Sequence, residues 1–209
     1  MSRRRSGVQL FSKNEKKAFY IICKLINTFV IIIIAILKAI PEIINYIKKI
    51  VKTNKALKGI GYNFNDLMDM IDKISPRQFE IFCGELFKNS GHYSEVTVTQ
   101  ATHDYGRDIV CSRIVNGIKE VTFVEVKHYN KDGFQIGRQI CQKLLGSCQM
   151  MNADKAIIIT TGTYHKNAYE CAGRVNNLRL MDINDIQEMI LNLKPEQISR
   201  VMMRTQNAC

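Results

Sequence analysis

The chain has 209 residues, enough for one globular domain with an extension, and it carries a formal net charge of +11. All of that excess lies in residues 1–60, which hold 13 Lys/Arg and 2 Asp/Glu, whereas residues 61–209 hold 17 of each sign. The net charge is therefore no evidence that the globular part is a generically basic nucleic-acid binder. The seven cysteines show no zinc-binding spacing, and this pattern favours a reducing compartment.

Residues 1–18 form a polar, basic tail, and residues 19–40 form a nearly continuous apolar run of 22 residues. As a helix, this run would reach about 33 Å, enough to cross a hydrocarbon core of about 30 Å. Lys24 and Lys38 lie near its ends, where their side chains can reach the headgroups. The run predicts a transmembrane helix. A signal peptide and a buried core helix are the alternatives, although no small-residue cleavage site follows.

Pro41 is expected to break or kink this run, and residues 41–60 form the next segment. Its apolar residues recur at helical spacing while its lysines occupy other positions. This pattern predicts a basic amphipathic linker helix on an anionic membrane surface, so that lipid contacts extend over residues 19–58. A linker helix that packs on its own domain is the alternative. Positive charge flanks the apolar run on both sides, so charge alone does not set its orientation.

The globular domain is expected over residues 61–209, where helical and strand patterns alternate. Helices are predicted over residues 65–73, from Ser75 to about 90, over 136–150 and 165–176, and from about 184. Strands are predicted over 95–101, on both sides of Asn116-Gly117, over 155–161 and over 178–181. This order predicts an α/β sandwich with a central mixed sheet flanked by helices, preceded by a long N-terminal hydrophobic helix.

One hairpin carries the charged residues that attract attention. Asn116-Gly117 lies between two runs rich in β-branched residues, which is a strong hairpin signal. Asp108 therefore begins one strand, and Glu125 and Lys127 lie on one face near the end of its partner. Since buried charge is costly unless paired or bound to metal, the two carboxylates are candidate Mg²⁺ ligands beside a fixed lysine cation. On an exposed strand edge the same three residues would only be solvated charges.

Several segments in a fixed order resemble a known family. They are Phe79-Glu80, Gly106-Arg107-Asp108-Ile109, Val124-Glu125-Val126-Lys127-His128-Tyr129 and Ile157-Ile158-Ile159-Thr160-Thr161. Together they resemble the Mrr-type restriction endonuclease catalytic domain of the PD-(D/E)xK nuclease superfamily, over about residues 74–190. The resemblance implies a restriction-endonuclease-like fold.

The resemblance also implies a role for each matched position. Asp108 and Glu125 match the two acidic metal ligands and Lys127 matches the lysine, so that these carboxylates, with the carbonyl of Val126, would hold Mg²⁺, or Mn²⁺ as an alternative. Glu80 matches an acidic residue on the first helix, as in archaeal junction-resolving nucleases of the same superfamily.

Some neighbouring positions carry weaker expectations. Asp104 and Tyr105 depart from the glycine-rich approach to the strand that is usual in the family. Gln139 and Gln142 are candidate DNA-phosphate contacts on the helix that follows the hairpin, with a solvated helix face as the alternative.

The expected function is a membrane-anchored, Mg²⁺-dependent DNA endonuclease that acts on foreign or modified DNA. Its nuclease domain would lie on the cytoplasmic side of a single-pass helix, and a homodimer would make double-strand breaks easier. No small-molecule cofactor is expected. A junction-resolving or repair nuclease is one alternative, and a membrane-anchored interaction module with an inactive nuclease fold is another.

Overall fold

A computed structural model describes residues 13–58, 63–100, 106–129 and 134–208. The domain boundary expected at Gly59 and Gly61 and the approach loop with Asp104 and Tyr105 lie outside these residues. The chain divides into two compact units, one ending at Lys49 and the other comprising residues 50–209.

The first helix, α1 (Lys13–Lys58), is continuous over 46 residues, which corresponds to about 69 Å. It does not end at Pro41, which lies inside it. An interior proline removes one backbone hydrogen bond, and a long apolar helix tolerates that loss. Within the described residues, Lys17–Lys55 is the one segment that is long and apolar enough to cross a membrane, with a mean hydropathy of 2.5 and none of its apolar window buried.

Six helices and seven strands follow α1 in the described part of the chain. The helices are α2 (Phe64–Lys73), α3 (Pro76–Asn89), α4 (Arg138–Met150), α5 (Lys166–Ala172), α6 (Ile183–Asn192) and α7 (Pro195–Gln206). The strands are β1 (Glu95–Val98), β2 (Ile109–Val115), β3 (Ile118–Lys127), β4 (Gln135–Ile136), β5 (Lys155–Thr160), β6 (Thr163–Tyr164) and β7 (Leu178–Met181).

The central sheet is mixed, as predicted. Its strand order is β1-β2-β3-β5-β7, in which β1, β2 and β3 are antiparallel neighbours and β3, β5 and β7 run parallel. The turn between β2 and β3 has positive φ at both central residues, 52° at Asn116 and 81° at Gly117, the conformation that Asn-Gly adopts readily in a two-residue hairpin. This turn fixes the register in which Ile109 lies opposite Val124.

Two hydrophobic cores cover the two faces of the sheet. The first core joins the sheet to α2, α3, α6 and α7, and its members from β3 are Val124 and Val126. The second core joins the opposite face to α4 and α5, and its member from β3 is Phe123. The sheet therefore separates two helical layers, and alternate residues of β3 point into different cores.

The structure refines several predicted boundaries. Ile136 belongs to β4, which pairs with β6, so α4 begins two residues later than predicted. The helix predicted over 165–176 is the shorter α5. The C-terminal helix is two helices, α6 and α7, separated at Leu193 and Lys194, because Pro195 begins α7 at a position where its missing N–H costs nothing.

Candidate active site

Asp108 lies immediately before β2, at the end of the hairpin farthest from its turn. Its backbone N–H donates to the carbonyl of Val124 at 2.8 Å. Its Oδ2 accepts a hydrogen bond of 2.6 Å from the backbone N–H of Val126. Only 6% of the residue is exposed. The carboxylate of Asp108 is therefore fixed against the last residues of β3.

Glu125 and Lys127 lie on one face of β3, as alternation requires. Their side chains form an ion pair in which Lys127 Nζ is 2.6 Å from Glu125 Oε1. The side chain of Glu125 is 3% exposed and that of Lys127 is 29% exposed. The second carboxylate oxygen, Glu125 Oε2, is buried and meets no donor among the described residues. A buried carboxylate with one unsatisfied oxygen is a high-energy arrangement.

The electrostatics of the site follow from burial and from the crowding of two carboxyl groups. Burial, and then the negative charge of Glu125, raise the pKa of Asp108 to about 7, although the Val126 N–H and the charge of Lys127 oppose this rise. Burial by itself would lower the pKa of Lys127, but the hydrogen bond to Glu125 and its charge raise it above the ordinary value. The hydrogen bond and charge of Glu125 therefore favour the ammonium form of Lys127, which is the positive charge beside the two carboxyl groups.

The end of β5 holds the backbone of β3 around Lys127. Thr160 is fully buried, and its hydroxyl donates to the Lys127 carbonyl at 2.8 Å. The Thr161 N–H donates to the same carbonyl at 3.2 Å, and the Tyr129 N–H donates to the Thr161 hydroxyl at 2.8 Å. The two threonines that carried part of the family resemblance therefore fix the position of the lysine.

Glu80 lies on α3 and is not joined to the two carboxylates. Its Oε2 accepts from Arg77 at 2.6 Å, one turn earlier on the same helix. Its negative charge makes a minor contribution to the raised pKa of Asp108. Glu85, the other glutamate of α3, forms an ion pair of 3.1 Å with Arg204 of α7. The structure thus brings Asp108, Glu125 and Lys127 together and leaves both α3 glutamates outside that group.

His128 contacts two residues of the first core. His128 Nε2 is 2.7 Å from the carbonyl of Ile71, and its ring lies against Phe79 with centroids 4.7 Å apart. This placement gives His128 a structural role. Gln139 and Gln142 are exposed on α4.

The donor set of the site is small and consists of oxygen. No group of three Asp, Glu, His or Cys residues within the described ranges could hold a metal ion. In that part of the chain, Asp108 and Glu125 therefore supply two carboxylates and no third side-chain ligand. That set suits Mg²⁺, which is usually bound through one or two carboxylates and keeps several waters, and the unsatisfied Glu125 Oε2 fits the same interpretation.

Sequence reasoning missed the contacts that join the three residues. The bond from the Val126 N–H to Asp108 crosses from one strand to the other, and the Thr160 bond to Lys127 comes from β5. Neither is encoded in a local pattern. It also missed the stacking of Tyr129 and Phe134. The sequence signal for this contact was the presence of two aromatic residues shortly after the strand.

One curated protein resembles this chain in sequence, and solved structures resemble it in fold. In the curated set, protein y4cE of Sinorhizobium fredii (strain NBRC 101917 / NGR234) is 25% identical over 148 residues, covering 64% of this chain and 37% of that protein. Among solved structures, the DNA modification-dependent restriction endonuclease AspBHI has a TM-score of 0.53 at 19% identity, covering 69% of this chain and 40% of that one.

A second solved structure, the MspJI restriction endonuclease in complex with a 27-mer oligonucleotide, has a TM-score of 0.51 at 13% identity. It covers 68% of this chain and 34% of MspJI. The matched region thus spans only about a third to two fifths of these relatives. The sequence model of the Mrr_cat family, described as restriction endonuclease, matches residues 71–190, more than half of the chain. This region contains Asp108, Glu125 and Lys127, and the chain belongs to the Mrr_cat restriction endonuclease family.

Proposed function

We propose that this chain is a DNA endonuclease, tethered to a membrane by α1, that hydrolyses phosphodiester bonds with Mg²⁺, or with Mn²⁺ as the alternative ion. The observation that carries the nuclease part is the buried oxygen Glu125 Oε2, which has no donor in the described structure although it lies beside a lysine and a second buried carboxyl group. A divalent cation at this position would satisfy that oxygen.

Three groups would bind the ion: the carboxylates of Asp108 and Glu125 and the backbone carbonyl of Val126. When bound, a divalent ion in such a site polarises a phosphoryl oxygen and lowers the pKa of a coordinated water. The hydrogen bond from the Val126 N–H holds the Asp108 carboxylate in one orientation, so little side-chain entropy is lost on binding. Glu80 would reach the site only through a water or a second ion.

Lys127 supplies positive charge where the phosphate would become more negative. Its ammonium group is held at 2.6 Å from Glu125 Oε1, and its backbone is fixed by Thr160. A preorganised cation stabilises developing charge without reorganisation at the moment of reaction. The same ammonium group can orient the attacking water. Gln139 and Gln142 remain candidate phosphate contacts, since both are exposed on α4.

The substrate of this proposal is DNA, with restriction of foreign or modified DNA as the biological role. Support comes from the family and from the shared fold of AspBHI, whose name describes it as dependent on DNA modification. Each chain would carry one active site, and cleavage of both DNA strands needs two cuts, so a homodimer would make a double-strand break more easily than a single chain.

The membrane tether rests on α1. Its apolar window is unburied and has a mean hydropathy of 2.5, and apolar surface of this extent is unstable in water. A tethered nuclease would be concentrated where DNA enters a cell, provided that its domain lies on the cytoplasmic side. The basic residues of α1 after Pro41, five lysines, would then lie near anionic headgroups.

A cleavage assay tests the nuclease. Methylated, unmethylated and branched duplexes are incubated with Mg²⁺ and the full chain in detergent. We expect cleavage of at least one substrate by the wild type and none by Asp108→Ala or Lys127→Ala. Asp154→Ala is the matched control, because Asp154 also accepts a backbone N–H of β3, that of Val121, but at the opposite end of the strand. No cleavage of any form by the wild type would contradict the proposal.

Fractionation tests the tether. We expect the full chain to stay with the membranes until detergent is added, and a fragment of residues 50–209 to be soluble. The fragment begins at residue 50 because Ile50 packs against the first core and the Asn54 side chain accepts the N–H of Phe64 at 2.8 Å. A full chain that remains soluble without detergent would contradict the tether and leave the nuclease proposal unaffected.

A further inference from the structure

An exposed pair of stacked aromatic rings lies two residues beyond Lys127. The rings of Tyr129 and Phe134 are 4.7 Å apart between centroids with an interplanar angle of 15°. Phe134 is 59% exposed, whereas Tyr129 is half-buried and packs against the edge of the second core. The outer ring of the pair is thus open to solvent, while the inner ring belongs to the fold.

Thr161 and Gly162 hold the inner residue of the pair, Tyr129. Thr161 binds the backbone of Tyr129 twice, accepting its N–H at 2.8 Å and donating to its carbonyl at 3.3 Å. Gly162 lies directly against the ring, since a Cβ at that position would be 2.9 Å from Tyr129 Cδ2 and 3.0 Å from the Phe134 carbonyl oxygen. A larger residue at 162 would displace both aromatics. The backbone of Tyr129 is therefore held by Thr161, its ring lies against Gly162, and the Phe134 ring stacks on it.

The pair is coupled to the candidate active site through the same short stretch of β5. Thr160 holds the carbonyl of Lys127, and the next residue, Thr161, holds both backbone groups of Tyr129. In an extended chain, residues two apart lie on the same side and about 6.6 Å from each other. Tyr129 follows Lys127 by two residues, just beyond the end of β3, and the ring of Phe134 stacks on that of Tyr129, so the pair lies next to the candidate active site along the chain.

The second core does not need the outer ring. Tyr129 already covers the core edge, and Phe134 adds an aromatic face that mostly contacts water. An exposed aromatic ring beside a site that binds a phosphate is the combination that proteins use to stack an unpaired nucleobase while they hold its backbone. Such stacking tolerates any base, since every base has a π-face.

We propose that Tyr129 and Phe134 form a stacking platform for an unstacked nucleobase next to the phosphate that is cut. This inference rests on the proposed nuclease function and specifies its substrate class: DNA in which a nucleotide beside the cut is unpaired, as in a single-stranded gap, a bulge or a branch point. A fully stacked duplex offers the platform a base only after unstacking, which costs free energy.

Paired and unpaired versions of one DNA test the platform. The full chain, in detergent with Mg²⁺, is given a 40-mer duplex and the same duplex with a three-nucleotide gap, and kcat/KM is measured for each. We expect the wild type to prefer the gapped DNA. Phe134→Ala should reduce the gapped-to-paired ratio by roughly 5- to 150-fold, the range that corresponds to loss of one base–aromatic stack.

Two further variants separate stacking from a general effect. Phe134→Trp keeps an aromatic face and should retain the preference for gapped DNA. Ile118→Ala removes another exposed apolar side chain, 73% exposed, at the turn end of the same hairpin, and should leave both rates as in the wild type. A wild type without preference, or a Phe134→Ala variant with an unaltered ratio, would overturn the platform.

A binding measurement distinguishes failure of this inference from failure of the nuclease. The gapped DNA carries 2-aminopurine in the gap, and its fluorescence is followed in EDTA, where no cleavage occurs. We expect quenching by the wild type and by Phe134→Trp, and its loss in Phe134→Ala. Quenching that depends on Phe134 without any cleavage in Mg²⁺ would support the platform and contradict the nuclease. Cleavage together with quenching that is independent of Phe134 would contradict only the platform.

Discussion

The two ends of β3 carry similar residues in opposite circumstances. Near the beginning of the strand, Glu120 accepts from Arg113 at 2.6 Å and lies 3.0 Å from Lys155, so both of its oxygens are paired. Near the end, Glu125 has one oxygen paired with Lys127 and one buried oxygen with no donor in the described structure. The carboxylate of Glu120 therefore needs no further partner, whereas that of Glu125 can still accept one.

The two ends of β3 also differ in the burial of the aspartate that accepts a backbone N–H of the strand. Asp154 Oδ2 accepts the N–H of Val121 at 2.7 Å in an exposed setting, and Asp108 Oδ2 accepts the N–H of Val126 at 2.6 Å in a buried one. The pKa shifts have opposite signs: hydrogen bonds from Arg113 and Lys155 lower the pKa of Glu120, whereas burial and Glu125 raise the pKa of Asp108 to about 7. The ionised form of Glu120 is therefore stabilised within the fold, whereas the ionised form of Asp108 is destabilised by it.

Exchange of one glutamate for glutamine gives the largest expected difference between the ends. Glu125→Gln removes a ligand charge and should lower the single-turnover rate of DNA cleavage in Mg²⁺ by about 10²–10³-fold or more, the cost of removing one preorganised electrostatic group. The measurement is product formation from an end-labelled duplex with protein in excess.

Glu120→Gln is the matched control for that experiment. It changes the same residue type five positions earlier on the same strand, where the carboxylate is paired only with Arg113 and Lys155. We expect its cleavage rate to stay within about twofold of wild type, because exposed ion pairs away from a site contribute little. Equal losses in both variants would mean that the two ends do not differ in function.

Without metal, the free energy of unfolding should depend on the ionisation of Asp108. Since the folded pKa of Asp108 is raised to about 7 from an ordinary 3.8, folding favours the protonated carboxyl. The free energy of unfolding should therefore fall as pH rises from about 4 to about 7 and stay low above it. Asp108→Asn removes this penalty and keeps an acceptor for the Val126 N–H, so it should stabilise the metal-free fragment of residues 50–209 by about 2–4 kcal/mol at pH 8.

Urea unfolding at pH 5 and pH 8, in EDTA and in 10 mM Mg²⁺, measures this effect. Mg²⁺ should stabilise the wild type at pH 8 but not Asp108→Asn, because the variant lacks a ligand charge. Asp154→Asn should differ from the wild type by less than about 0.5 kcal/mol, as exposed substitutions usually do. An Asp108→Asn variant that is less stable than the wild type at pH 8 would show that the Asp108 carboxylate is satisfied within the fold.

Local signals predicted the elements that place the site. Asn116-Gly117 predicted the hairpin and its register, and the Ser75 capping box that begins α3 is present with both of its hydrogen bonds. Residues 155–161 were predicted to form a strand, and β5 lies in the sheet between β3 and β7. Each of these signals is carried by neighbouring residues, so one sequence suffices to recognise it.

Contacts between distant residues could not be predicted in the same way. The start of α4 was misplaced because Ile136 pairs with Tyr164, 28 positions later. Glu120 has both oxygens paired because Lys155 reaches it from another strand. Glu125 Oε2 has no partner because no donor in the described structure reaches it. In sequence, Lys119-Glu120 and Glu125-Val126-Lys127 look equally charged, and only the fold distinguishes a completed ion pair from an open site.

The smallest expected effect is on the ion pairs at the beginning of β3. The pKa of Glu120 is lowered by hydrogen bonds from Arg113 and Lys155, so its contribution to stability is present above the ordinary pKa of 4.5 and is lost as pH falls. Because the Arg113 and Lys155 side chains are 36% and 44% exposed, salt screens these pairs.

Glu120→Gln should therefore lower the Tm of the fragment by no more than a few degrees at pH 8 and low salt, and the difference should shrink in about 1 M NaCl. The sign is opposite to that of Asp108→Asn, which should raise the Tm at the same pH. Thermal melts of both variants, each at two salt concentrations, compare the Tm shifts caused by a substitution at each end of β3. If both substitutions shift the Tm in the same direction, the carboxylates at the two ends play the same energetic role, and the unsatisfied oxygen of Glu125 is not a sign of a binding site.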